Sequence, residues 1–213
     1  MNIDVKICGI TDAQTAHVAA SAGARYLGFI FFDKSPRNLT LAAARILGPQ
    51  LPVGPDRVGV FVNADLDLIK QAAKALSLDW IQVHGAETPE DIAQIKDGTG
   101  CLVIKAFGIA SAEDFKAVDM FKGHVDAYLF DAKPPKGADL PGGNAISFPW
   151  ALLKGRQFDK PWLLAGGLSA ETIKAAVDAS RTRILDVSSG VESAPGIKDH
   201  QKIQAFLDAA AKI

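Results

Sequence analysis

The sequence is poor in the residues that usually announce a function. Its 213 residues include only two cysteines, Cys8 and Cys101, and four histidines, and the formal net charge is -1. Two cysteines in separate apolar runs offer no disulfide framework, and in a reducing compartment both are expected to be free thiols. The histidines stand apart from one another and from any cysteine at ligand spacing, so no metal is expected. Charges are scattered rather than blocked, which leaves no basic stripe for nucleic acid. No apolar run reaches the roughly 18 residues of a spanning helix, so no membrane role is expected. The opening MNIDVK lacks the basic-then-apolar layout of a signal peptide, and a cytoplasmic address follows as an expectation. Linkers, low-complexity tracts and internal repeats are also missing. With 48% apolar residues the chain reads as a single domain over 1–213 with enough material for a sizeable core.

What the chain has instead is alternation. Strand-like runs occur at IDVKIC (3–8), RYLGFIF (25–31), RVGVFV (57–62), DWIQV (79–83), CLVIKAF (101–107), DAYLFD (126–131), PWLLA (161–165) and RILDVS (183–188). Helix-like stretches lie near 12–22, 39–47, 65–75, 88–96, 111–117, 148–154, 169–178 and 199–211. Several open on a capping or first-turn signal, at Thr11-Asp12, Thr40, Asp65, Thr88-Pro89-Glu90, Ser111 and Ser169. Strict alternation implies parallel strands, and eight such units fit a closed (β/α)8 TIM barrel. An open doubly wound sheet is the rival.

The period-two pattern within the strands favours closure. Ile3, Val5 and Ile7 share one face, as do Val58, Val60 and Val62, and Ile81 and Val83; these suit a helix layer. The opposite faces are more polar: Asp4, Lys6 and Cys8; Gly59, Phe61 and Asn63; Gln82 and His84; Val103, Lys105 and Phe107; Ala127, Leu129 and Asp131; Ile184, Asp186 and Ser188. An open parallel sheet covered on both sides would be apolar on both. In a barrel the polar faces point inward and climb to the C-terminal rim, where Cys8, His84, Lys105, Asp131 and Asp186 would converge. Cys8 still has two readings, a small buried hydrophobe or a reactive group beside Gly9 and Lys6. Cys101, at the start of its strand, takes the structural one.

The segments KICGI (6–10), SPR (35–37), VGVFVN, IQVHG, IKAF, LFDAK, LAGGL and DVSSGVESAPGIKD occur in that order, and together they resemble the phosphoribosylanthranilate isomerase family. The resemblance runs from the first strand to the last helix. It implies a cofactor-free barrel of tryptophan biosynthesis whose substrate is the small molecule N-(5-phosphoribosyl)anthranilate, rearranged to 1-(2-carboxyphenylamino)-1-deoxyribulose 5-phosphate. It further implies Cys8 as general base, Asp131 as general acid and Arg37 as the partner of the anthranilate carboxylate, for which a planar fork is suited. An ordinary thiol of pKa about 8.5 is only roughly 3% thiolate at pH 7, and an ordinary aspartic acid of pKa about 3.9 is roughly 0.1% protonated. Lys6 and Lys105 are therefore expected to lower the thiol, and burial to raise Asp131.

Phosphate is expected at the last two strand-to-helix loops, where Gly166 and Gly167 of AGGLS and Ser189 and Gly190 of SSGVESAPG can bring backbone N–H groups to an anion. His84 is a candidate pocket-lining residue. Asp186 has two equal readings, acceptor for sugar hydroxyls or structural partner of Lys6. Around the sixth loop the chain departs from the family pattern, with Gly142-Gly143-Asn144-Ala145 and Phe148-Pro149-Trp150 where Gly-Gly-Thr-Gly and Phe-Asp-Trp are usual. Two alternatives to the leading reading are a catalytically silent phosphosugar-binding barrel and the related isomerase of histidine biosynthesis. Monomer and homodimer are both compatible with the sequence.

Overall fold

In the computed structural model, which describes residues 3–133 and 148–213, the main sheet is a closed ring of parallel strands in chain order. They are β1 (Asp4–Cys8), β2 (Tyr26–Phe31), β3 (Asp56–Phe61), β4 (Trp80–Val83), β5 (Leu102–Ile109), β6 (Ala127–Ala132), β7 (Trp162–Leu164) and β8 (Ile184–Val187). β8 pairs back onto β1, which removes the free edges an open sheet would leave. After β8 the chain makes a small antiparallel hairpin, β9 (Glu192–Ala194) with β10 (Ile197–Lys198), that the sequence pattern had not revealed.

Helices α1 (Ala13–Ser21), α2 (Leu41–Leu47), α3 (Leu66–Leu76), α4 (Pro89–Thr99), α5 (Ile173–Ser180) and α6 (His200–Ala210) form the outer layer. Their starts follow the capping signals. Asp12 accepts the Thr15 amide, Thr40 accepts the Ala43 amide, and Thr88 with Asp91 forms a reciprocal capping box. Ser169 instead opens a turn, and α5 begins four residues later. The helices expected near 111–117 and 148–154 are 3-10 helices, at Ala112–Phe121 and Trp150–Leu153. In the first of these the buried residues are Phe115, Val118 and Phe121, a repeat of three that suits i→i+3 winding better than 3.6.

The register propagates facing around the ring and corrects part of the expected pattern. Lys6 pairs with Tyr26, Gly28 with Val58, Val60 with Gln82, Gln82 with Ile104, and Ala106 with Leu129. The interior is accordingly filled by Val58, Ile104, Ala106, Ala127, Leu129, Leu163 and Ala165, above which the polar groups gather. On β1, β4, β6 and β8 the expected inward faces hold. On β3 and β5 they are reversed: Gly59 and Phe61, and Val103, Lys105 and Phe107, belong to the helix side. Gly59 suits that crowded side, where a Cβ would lie 2.5 Å from the Leu78 side chain and force it to shift. Lys105 tolerates the helix side because its ammonium is satisfied locally, donating to the Gly85 carbonyl at 2.7 Å and to Glu87 at 2.9 Å. Among the described residues no helix is long and apolar enough to cross a membrane.

Candidate active site

Cys8 is the last residue of β1, inward by alternation from Lys6 and 5% exposed. Asp131 lies one residue before the end of β6, opposite Gly108, and is also inward and buried. Both therefore sit at the C-terminal rim. Asp131 Oδ1 accepts the Ala132 amide at 2.7 Å and lies against Gly166, where a Cβ would stand 3.0 Å from it. Cys101, at the opposite end of the barrel, is half committed to the backbone through its thiol, 3.1 Å from the Leu78 carbonyl.

The surroundings of Cys8 are crowded with charge. Lys6, fully buried, donates to Asp186 at 2.9 Å across the β1–β8 seam. Asp186 is thus engaged as the barrel-interior partner of Lys6, the second of its two expected readings. Gly28 lets this arrangement close, since a Cβ there would sit 3.0 Å from Cys8 Sγ and 3.1 Å from Lys6 Nζ. Burial by itself would pull the Lys6 ammonium down, but Asp186 and Cys8 outweigh it and its pKa ends above the ordinary value.

The thiol does not behave as expected. Burial pushes the Cys8 pKa up, and the opposing fields of Lys6 and Lys198 do not cancel that, partly because Asp186 pushes in the same direction as burial. Lys105, outside the barrel wall, does not contribute the expected lowering. Cys8 accordingly carries a smaller thiolate fraction at neutral pH than cysteine in water.

Arg37 lies in the loop after β2 and is not a surface arginine. It is 5% exposed, and its stem crosses Gly9, where a Cβ would stand 2.6 Å from Arg37 Cδ. Its Nε and Nη2 donate to the two carboxylate oxygens of Glu192 at 2.7 and 2.8 Å. Glu192 also accepts from Lys198 Nζ at 2.7 Å, and Lys198 donates to the Ser188 carbonyl at 3.0 Å. Despite burial, these bonds hold the Glu192 carboxyl below its usual range. Glu192 and Lys198 lie in DVSSGVESAPGIKD, but the cluster they form with Arg37 is not legible in the sequence. Nothing in strand or helix periodicity marks a hairpin of this size.

His84 follows β4 at the same rim. Its Nε2 is sealed from solvent and has no hydrogen-bond partner among the described residues. Burial, reinforced by the cations Lys105 and Lys6, lowers its pKa to about 4, so the ring is neutral at pH 7.

The last two barrel loops meet through glycine. Gly166 and Gly167 adopt φ of +87° and +66°, a region that side chains disfavour. Gly190, in the 3-10 turn Ser189–Val191, packs so closely on the Leu168 carbonyl that no Cβ fits between them. Gly142, Gly143, Asn144 and Ala145 lie outside the described residues. Among the described residues no cluster of three or more His, Cys, Asp or Glu side chains suits a metal ion.

A family model described as N-(5'phosphoribosyl)anthranilate (PRA) isomerase matches residues 5–209. An N-(5'-phosphoribosyl)anthranilate isomerase from Paracoccus denitrificans is 50% identical over 210 residues, which cover 99% of this chain and 98% of that one. One from Paramagnetospirillum magneticum is 47% identical with the same coverage. Among solved structures, phosphoribosyl anthranilate isomerase from Thermotoga maritima superposes with a TM-score of 0.87 at 36% identity, covering 99% and 100% of the two chains. A second, in complex with reduced 1-(o-carboxyphenylamino)-1-deoxyribulose 5-phosphate, gives 0.83 at 34% identity, with the same coverage.

Proposed function

The chain belongs to the N-(5'-phosphoribosyl)anthranilate isomerase family, and from that premise we propose how its own residues carry the reaction. The protein is an aldose–ketose isomerase of tryptophan biosynthesis, converting N-(5-phosphoribosyl)anthranilate to 1-(2-carboxyphenylamino)-1-deoxyribulose 5-phosphate. The Amadori rearrangement requires a proton on the furanose oxygen as the C1–O bond breaks and the anilino nitrogen forms a Schiff base. A base must then remove the C2 proton. The electron pair of that C–H bond becomes the enolamine double bond, and transfer of the 2-hydroxyl proton to C1 gives the ketone.

Asp131 is the acid and Cys8 the base. The observation that carries this assignment is that both groups are buried, inward and at the same C-terminal rim of a closed barrel. Arg37 meets the substrate carboxylate, and the Gly166–Gly167 and Ser189–Gly190 loops take the phosphate on backbone N–H groups. His84, neutral at working pH, lines the pocket without adding charge. Asp186 accepts a sugar hydroxyl while its Oδ1 stays paired to Lys6. No cofactor enters any step. A reducing, cytoplasmic setting suits two buried free thiols.

The assay is loss of the anthranilate-type fluorescence of freshly made phosphoribosylanthranilate. Cys8→Ser and Asp131→Asn are each expected to reduce kcat by about 10²–10⁴-fold while substrate still binds. Arg37→Ala is expected chiefly to raise KM. Near-normal turnover in either of the first two variants would remove that residue from its role.

A further inference from the structure

The hairpin after β8 poses a question that the acid–base pair leaves open. Arg37 is read as the group that meets the substrate carboxylate, yet in the structure it already holds a carboxylate, that of Glu192. The atoms involved resolve the conflict. A guanidinium offers two bidentate edges, the side edge of Nε with Nη2 and the end edge of Nη1 with Nη2. Glu192 takes the side edge, at 2.7 and 2.8 Å. Among the described residues nothing takes the end edge, which leaves it for a second carboxylate, and the planarity of the group fixes its direction once the side edge is clamped.

We propose that Glu192, backed by Lys198, is a positioning residue that clamps the side edge of Arg37 so that the end edge is presented to the anthranilate carboxylate. The inference rests on the reading of Arg37 as carboxylate partner and deepens it. Three observations support it. The clamp is buried at both ends, with side-chain exposures of 6% for Arg37 and 4% for Glu192, so solvent does not compete for the bonds. Glu192 is itself doubly held, by Lys198 Nζ at 2.7 Å and by the Gly196 amide at 3.3 Å, so it does not swing away with the arginine. The charges Arg37, Lys198 and Glu192 sum to +1 rather than zero, which leaves the cluster attractive to one further carboxylate. Lys198 also ties the hairpin to Ser188, placing the clamp beside Gly9 and hence beside Cys8.

A carboxylate that merely occupied the arginine would act in the opposite sense, as a competitor. The two roles separate in binding measured by calorimetry with two probes. One is reduced 1-(o-carboxyphenylamino)-1-deoxyribulose 5-phosphate, and the other is its anilino counterpart without the carboxyl. For the clamp, Glu192→Gln weakens the first probe about tenfold and leaves the second within about twofold. Arg37→Ala shows the same selectivity with a larger loss, and the double variant is no worse than Arg37→Ala. In turnover, Glu192→Gln raises KM with kcat held within about twofold. Unchanged or tighter binding of the carboxylated probe by Glu192→Gln, with Arg37→Ala still selective, overturns the clamp and leaves the arginine assignment intact. Equal loss of both probes by Arg37→Ala removes that assignment and the clamp with it. Should Glu192→Gln not fold, Glu192→Asp, which keeps the charge but withdraws it by one methylene, carries the same comparison.

Discussion

Acidification isolates one buried ring. His84 has a native pKa of about 4 against an ordinary value near 6.5, because burial and the cations Lys105 and Lys6 disfavour its charged form. At pH 5 the unfolded ring is about 97% protonated and the native ring about 10%. The unfolded state binds more protons throughout this window, so stability is present above about pH 6.5 and is lost as pH falls towards 4. The ratio of the two binding polynomials at pH 5 is about 30, equivalent to about 2 kcal/mol, against about 0.2 kcal/mol at pH 7. That is an upper figure, since His84 as a whole is half-buried rather than fully enclosed. Urea denaturation at the two pH values, on the wild type and on His84→Gln, measures it. The wild type is expected to lose up to about 2 kcal/mol more than the variant between pH 7 and pH 5. Equal losses would show that His84 is charged in the native state and that the rim at β4 is wetter than its sealed Nε2 implies.

Because burial raises the Cys8 thiol, its alkylation rate and the kcat/KM of the enzyme are expected to climb together above neutral pH. A thiol that titrates at or below about 8.5 would mean that Lys6 and Lys198 outweigh desolvation. Lys6→Met leaves Asp186 buried without the ammonium it holds at 2.9 Å, and is expected to cost about 3–5 kcal/mol in denaturant unfolding. Lys6→Met combined with Asp186→Asn should recover part of that loss, whereas strict additivity in the double-mutant cycle would refute the coupling. Gly190→Ala forces a methyl against the Leu168 carbonyl and should cost about 1–3 kcal/mol while raising KM, as the last two loops part. A Gly190→Ala enzyme with unchanged thermal midpoint and KM would show that those loops do not share the phosphate.

Much of the barrel is written locally. The strand positions follow from apolar runs of the right length, and the helix starts from Asp12, Thr40 and Thr88, whose caps depend only on residues three positions away. The rim positions of Cys8 and Asp131 follow from their places at strand ends. The facing of β3 and β5 does not, because both faces of those strands carry apolar side chains and the deciding polar residue, Lys105, finds its partner Glu87 eighteen positions earlier on the helix side. A lysine in a strand reads as inward only until such a partner is known.

The alternation of elements, the number of barrel strands and the residue types at the rim were determined by the sequence itself, since each depends on neighbours within a turn or a pleat. Three things were left to the tertiary structure. One is which faces turn inward on the ambiguous strands, because closure passes register from strand to strand around the whole ring. Another is the clamp on Arg37, whose partner lies 155 positions away in a hairpin with no periodic signature. The last is the protonation of Cys8 and His84, because a pKa depends on distances through space and on the exclusion of water, and neither is a property of position along the chain.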